Sequence, residues 1–363
     1  MTQHTVAVQQ VRLILQGARH QGCPTAPLLQ RAGIPPALLD APLARVSQAQ
    51  YALLIRVLRR QLRDELWGLC SRPLPVGSFG QCASQLLGCQ TLHEALRQGF
   101  RHYHGLLHDF VPRLLLQGRV ARVQLVRRVA PNSPPGAPLN PRLDYAQKAF
   151  LLFTFGMACW LVARRVPVLG VDYTEPAPRS DSSRVYQAPI HHHQAHVGLS
   201  FDARWLDLPV VQNPQSLREF LAGAPANLLI KYRDAGSVSE RIRRLLHRRL
   251  DAGDLSLEAV GEAMGLAAQT LRRRLREEGH GFQALKDALR RDAAIACLAR
   301  PELTLPEIAQ RLGFSEASTF HRAFKKWTGV APGEYRLTRL PSAAGAAGLP
   351  ARHLPPAPET RSP

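Results

Sequence analysis

The stretch Ile308 to Arg336, IAQRLGFSEASTFHRAFKKWTGVAPGEYR, constrains this chain more than any other. Thr304 and Glu307 ahead of it form a capping box. The Thr304 hydroxyl can accept from the backbone N–H three residues on, while the Glu307 carboxylate reaches back. Pro306 falls in the first turn, where its missing N–H costs nothing. A short helix then runs to Leu312 and stops at Gly313. Ser315 is placed to cap a second helix, from Glu316 to about Trp327, which ends before Gly329. Two short helices joined by a tight Gly-containing turn make a helix-turn-helix. Phe320, Phe324 and Trp327 recur at i, i+4 and i+7, so they predict the buried stripe. Ala317, Ser318, His321 and Arg322 are left on the opposite side, the position from which a recognition helix meets base edges. The competing reading is a plain helical hairpin closed on a Phe/Trp core.

The run I-A-x-x-L-G-F, then S-x-F-x-R-A-F-K, then G-x-x-P-x-x-Y-R, resembles the second helix-turn-helix of the AraC/XylS family of bacterial transcription regulators. Upstream, A-V-G-E-A-M-G-L-x-x-x-T-L-R-R-R-L-R-E-E-G resembles the family's first one. There Ser256 is placed to cap a helix Leu257–Met264, Gly265 makes the turn, and a second helix runs from Ala267 to about Glu278. Leu271 and Leu275 predict the core side, which leaves Gln269, Arg272, Arg273 and Arg276 on one outward stripe. Two positions depart from the family pattern. Ala267 stands where a capping Ser is usual, at a cost of about 1 kcal/mol. Gly261 stands where Ala is usual, which predicts a slightly weaker helix. Phe282–Leu298 reads as a long helix joining the two motifs, able to set both recognition helices into adjacent major-groove segments about 34 Å apart.

The first 225 residues read as α+β. Helices are expected within 6–60, including Gln48–Arg63 with Arg56, Arg59, Arg60 and Arg63 on a solvated face, and again at Gly77–Gly88 and Thr91–Leu107. A β-hairpin is expected over Phe110–Val129 with its turn at Gln117-Gly118, then a proline-rich loop at 131–141. Tyr145–Arg165 contains the apolar run Ala149–Ala163. At fifteen residues that run is too short for a membrane span of about 20, so it predicts a buried helix and a soluble protein. Val168–Tyr173, Ile190–Phe201 and Leu206–Val210 read as strands.

The helical opening, the run Leu92–Tyr103, the hairpin and F-D-A-R-W-L-D-L-P at Phe201–Pro209 are similar to the arabinose-binding-like effector domain of one AraC-family branch, which includes regulators of ornithine catabolism. That resemblance implies a domain 1–228 for effector sensing or oligomerisation, a linker 229–236, and a DNA-binding domain 237–338 with helix-turn-helix motifs at 256–278 and 304–327. Within it Ser237 would open the helix Val238–Leu250. Residues 339–363 are Pro/Ala/Gly-rich without periodicity and read as a disordered tail.

The net charge of +20 favours a polyanionic partner, with a qualification. Of the 47 basic residues 42 are Arg and 5 are Lys, beside abundant Ala, Leu, Pro and Gly, a bias that a GC-rich genome also produces. Residues 236–338 carry 18 basic and 13 acidic side chains, against 26 and 13 in residues 1–235. The motifs therefore carry the nucleic-acid argument. The N-terminal excess slightly favours a carboxylate-bearing effector over a cation.

Six cysteines (23, 70, 82, 89, 159, 297) show no C-x-x-C and no zinc-finger spacing, which predicts free thiols in a reducing cytoplasm. Residues 1–20 lack the apolar core of a signal peptide. The run His191-His192-His193-Gln194-Ala195-His196 would place His191 and His193 on one strand face and invites a metal reading. An exposed histidine cluster without ligation is the reading adopted, and no metal, cofactor or catalytic residue is assigned. A DNA-repair alkyltransferase would need an activated Cys beside a basic or His partner, as in P-C-H-R, and none of the six has one. The expected partners are promoter DNA, a small-molecule effector and RNA polymerase, with a homodimer compatible and no membrane. The family leans toward activation. The alternative is a ligand-independent architectural DNA-binding protein whose N-terminal domain only oligomerises.

Overall fold

The computed structural model describes residues 5–41, 43–128, 140–175, 186–223, 238–248, 256–277 and 281–337. The expected linker 229–236 and the tail 339–363 lie outside the described residues, as does Ser237.

The chain opens with a two-stranded antiparallel ribbon, β1 (Thr5–Ala7) and β2 (Arg45–Ser47), that brackets the first helices. Between them lie α1 (Val8–His20), α2 (Thr25–Arg31) and a 3-10 turn at Pro36–Asp40. Ser47 both ends β2 and caps α3 (Gln48–Leu62) in a capping box with Gln50. That box fixes where the helix starts, because each side chain satisfies the other's free backbone N–H.

Two buried acids then shape the loop that follows. Asp64, fully buried, accepts from the N–H groups of Leu66, Leu74 and Gly68 at 2.8, 2.8 and 2.7 Å. Glu65 accepts from those of Gly77 and Phe79, both at 2.8 Å, and so sets the start of α4 (Ser78–Leu86). α5 (Leu92–His104) is capped by Thr91 and turns Leu96, Phe100 and Tyr103 inward.

A five-stranded sheet of order β3-β4-β7-β5-β6 completes the N-terminal unit. Its strands are β3 (Phe110–Gln117), β4 (Val120–Arg127), β5 (Val168–Asp172), β6 (Ile190–His191) and β7 (Val197–Asp202). Neighbours pair antiparallel except β5 with β6. The β3–β4 turn is Gly118-Arg119, one residue later than expected. Leu206–Val210 is not a strand: Ala203–Asp207 is a 3-10 turn capped by Asp202, and only Pro209 makes a bridge, to Thr91.

α6 (Pro141–Leu161) starts four residues before Tyr145, the expected start, because Asn140 caps it and Pro141 occupies its first turn. It is buried on nearly all sides. It is held to its neighbours by a 2.7 Å hydrogen bond between the Tyr51 and Tyr145 hydroxyls and by Arg127 on Asp144 at 2.9 Å. Among the described residues no helix is long and apolar enough to cross a membrane. α7 (Pro214–Gly223) is the last helix described before residue 238.

The remaining helices are α8 (Val238–Arg248), α9 (Leu257–Met264), α10 (Ala268–Glu277), α11 (Phe282–Leu298), α12 (Leu305–Arg311), α13 (Ala317–Thr328) and α14 (Pro332–Leu337). α11 belongs to two cores. Leu285 and Leu289 near its start pack with Ile242, Val260, Leu271 and Leu275. Ala294, Ile295 and Leu298 near its end join the core of α12–α14, which is continuous with that of the N-terminal unit. The junction is polar as well as apolar. Thr5 Oγ1 donates to Asp292 at 2.5 Å, Arg45 Nε donates to Thr5 Oγ1 at 2.7 Å, and the Tyr335 hydroxyl donates to the Arg45 carbonyl at 2.6 Å.

Candidate nucleic-acid interface

In the first helix-turn-helix the Ser256 hydroxyl accepts from Ala259 N–H at 3.1 Å, and Leu271 and Leu275 are 0% and 1% exposed. Gly265 has φ +65°, and the Leu266 N–H donates to the Gly261 carbonyl at 2.9 Å, so the chain turns sharply into α10. Ala267 precedes α10, where it offers no side-chain oxygen to the first turn. Gln269, Arg272, Arg273 and Arg276 are all exposed and line one open concavity with Ala267 and Thr270. Arg272 also lies close enough to Glu258 to help lower its carboxyl, after the N–H of Glu258 itself and the Ser256 hydroxyl. The stripe expected from spacing is thus one continuous cationic surface.

Gly261 corrects the sequence reading. A Cβ built there would stand 2.6 Å from the Leu266 carbonyl oxygen, so the glycine permits close approach of turn and helix. Gly261→Ala gains helix propensity of about 1 kcal/mol or less. It must also move a backbone carbonyl, an overpacking cost of about 1–3 kcal/mol. The expected outcome is a net loss of stability in urea denaturation of the full chain. A gain would show that the turn relaxes freely.

In the second helix-turn-helix the capping box forms as expected, with Glu307 N–H donating to Thr304 Oγ1 at 3.3 Å and Thr304 N–H donating to Glu307 Oε2 at 2.7 Å. Gly313 takes φ +72°. The cap of α13 differs from expectation: the N-cap is Glu316, with no side-chain cap bond, and Ser315 does not cap. The Glu316 carboxylate instead accepts from the Ser318 hydroxyl at 2.9 Å. Phe320 and Phe324 are 1% and 0% exposed, while Trp327 is half-buried against Phe314.

Ala317, Ser318, His321 and Arg322 are all exposed. Two cations escaped the sequence reading. Lys325 and Lys326 in the last turn of α13 are also exposed. Lys325 lies at i+7 from Ser318 and i+3 from Arg322, so helical spacing could have found it. Glu316, the N-cap of α13, is exposed as well.

The two recognition faces sit on units at opposite ends of α11. Seventeen residues span about 25 Å at the helical rise.

β6 ends at His191, and His193 has φ +58°, so the shared strand face on which a His191/His193 metal pair depended is not formed. His191 instead lies 3.1 Å from Asp172. Among the described residues no group of three His, Cys, Asp or Glu side chains is arranged to hold a metal ion. All six cysteines are free, and burial pushes the Cys82 thiol up to about 12 and the Cys159 thiol up to about 11. That is the reverse of the lowered value an alkyl-accepting thiolate needs.

Residues 22–210 match the arabinose-binding N-terminal domain of AraC transcription regulators, and residues 260–338 match a helix-turn-helix domain. The chain is 26% identical to the ornithine utilization regulator of Pseudomonas aeruginosa, over 92% of this chain and 97% of that one. It is 27% identical to an uncharacterized HTH-type transcriptional regulator of Mycobacterium tuberculosis, over 90% of this chain and 95% of that one. Among solved structures, the transcriptional regulator CdpR from Pseudomonas aeruginosa aligns over 90% of this chain and 98% of its own, at 19% identity and a TM-score of 0.27.

Proposed function

The chain belongs to the family of AraC transcription regulators, and from that premise we propose that it binds promoter DNA through both recognition helices under control of a small metabolite. The observation that carries this reading is the pair of exposed cationic faces, one on α10 and one on α13, held on separate cores by a single helix. Arg272, Arg273, Gln269 and Arg276 read or clamp one half-site; Arg322, His321, Ser318 and Ala317 take the other. An Arg fork matches guanine O6/N7, and the Ala317 methyl matches a thymine methyl.

In this reading residues 1–228 sense the effector, 229–236 join the units, 237–338 bind DNA, and 339–363 form a tail. The regulator acts in the cytoplasm as an activator in contact with RNA polymerase, as a homodimer where its sites are paired. An enzymatic role finds no support in its relatives, which are named as transcription regulators.

The test is transcription of the genes adjacent to this one, measured with the full chain and a panel of metabolites. At least one metabolite should change output. Output that stays the same under every supplement replaces this reading with a ligand-independent architectural DNA-binding protein.

A further inference from the structure

The five-stranded sheet has two edges. β6 at one side is two residues long, while β3 at the other is eight. Phe110, Val111 and Pro112 are buried, so the first part of β3 is covered. From Arg113 on it is open: Arg113, Leu116 and Gln117 are exposed, and Leu114 and Leu115 are half-buried. Among the described residues β3 pairs with β4 alone. Three consecutive leucines on an unpaired edge are what soluble proteins avoid, because such an edge is a template for another strand.

The phase of the ladder decides what that edge offers. The Arg128 N–H donates to the Asp109 carbonyl at 2.8 Å, and Gln117 pairs with Val120 across the two-residue turn. Hydrogen-bonded pairs alternate with non-bonded ones in an antiparallel ladder. Arg113, Leu115 and Gln117 therefore spend their N–H and C=O groups on β4, and Leu114 and Leu116 aim theirs outward. Pro112 falls on the same outward side, where its missing N–H costs the ladder nothing, as expected of an edge strand. Side chains add to the backbone. Leu116 and Leu114 stand opposite Ala121 and Val123, which are 0% and 1% exposed, yet Leu116 itself is 53% exposed. The apolar face of the sheet thus runs on past β4 to the rim.

We propose that this edge is the dimer interface: β3 of one copy pairs antiparallel with β3 of a second, centred on Leu115, and joins two sheets into one. The proposal rests on the homodimer reading above and gives it a surface. A strand paired antiparallel with its own copy obeys a twofold axis, so the same patch serves both sides. In this register each Leu114 exchanges both backbone hydrogen bonds with Leu116 of the other copy. Leu115 meets its own counterpart on the opposite face, and Arg113 stands across from Gln117, so no like charges oppose. A strip this short makes a weak dimer, in the class of interfaces below about 1,200 Å². Two copies on neighbouring operators would still bind cooperatively, because the contact is then intramolecular, at an effective concentration on the order of millimolar.

Leu115→Glu is the informative variant. Within one copy the new carboxylate faces Arg122 across the ladder, an opposite charge, so the fold should hold. Between copies two carboxylates stand face to face. In sedimentation equilibrium the full chain should form a dimer at concentrations up to about 100 μM, and Leu115→Glu should weaken association by roughly tenfold. Leu169→Glu, at an exposed leucine of β5 away from this edge, should leave association unchanged. If Leu115→Glu does not fold, Leu116→Pro supplies the same test, because it removes an outward N–H and none that β4 uses.

A full chain that stays monomeric throughout, or a dimer that Leu115→Glu and Leu116→Pro leave intact, overturns the interface. So does a dimer that Leu169→Glu dissolves equally, since association would then follow exposed apolar surface in general. The DNA-binding reading fails on a different result, absence of a sequence-specific footprint.

Discussion

Arg322→Ala should weaken specific binding of the full chain to its operator by about 1–3 kcal/mol, and adding Arg272→Ala should bring the loss to about 2–6 kcal/mol. The single value is the usual scale for losing a bidentate base contact, roughly 5- to 150-fold in affinity. Near-additivity follows from the architecture. Arg272 stands on α10, whose Leu271 and Leu275 pack in one core, and Arg322 on α13, whose Phe320 and Phe324 pack in another. Units separated by the length of α11 couple weakly. Gel-shift titrations against operator and random DNA decide the role of each arginine. Equal losses on both, with the salt slope reduced by about one, would reassign that arginine to a phosphate. A pair loss far from the sum of the singles would mean that α11 does not keep the two sites independent.

Asp64→Ala should destabilise the N-terminal unit by about 3–5 kcal/mol. The fully buried carboxylate takes three backbone N–H groups, from Leu66, Gly68 and Leu74, within a loop that also buries Trp67 completely. Each buried donor left without an acceptor costs about 1–3 kcal/mol, and some inflow of water reduces the sum. Against a typical stability of about 5–15 kcal/mol this is a severe loss. Asp64→Asn tests the cause, since its amide NH₂ would face an N–H donor and restore at most part of the stability. Urea denaturation followed by tryptophan fluorescence measures both, and a loss below about 1 kcal/mol for Asp64→Ala would show that the loop does not depend on this acid.

What could be read in the sequence was whatever short-range chemistry determines. Ser256, the Thr304/Glu307 pair and the turns at Gly265 and Gly313 define the helix-turn-helix units within a few residues each, and α11 begins and ends where periodicity placed it. The exposed residues of both recognition faces follow from the same spacing. What escaped depends on distant partners. The ribbon strands β1 and β2 are three residues each, too short for an alternating pattern to register, and they pair across 40 positions. Gly261 looked like a weak helix residue because its neighbour, the Leu266 carbonyl, approaches only once the turn is folded. A small apolar void lined by Phe79, Gly99 and Phe153 arises only where three helices face one another, and no local period encodes that.

The most direct measurement is a hydroxyl-radical footprint of the full chain on the DNA upstream of the adjacent genes. Two protected segments should appear on one face of the duplex, centred about 34–36 Å or one helical turn apart. Arg272→Ala with Arg273→Ala should erase one segment and Arg322→Ala should fade the other. Protection that is uniform and indifferent to sequence, or that both sets of variants weaken alike, would contradict a regulator that reads two half-sites through α10 and α13.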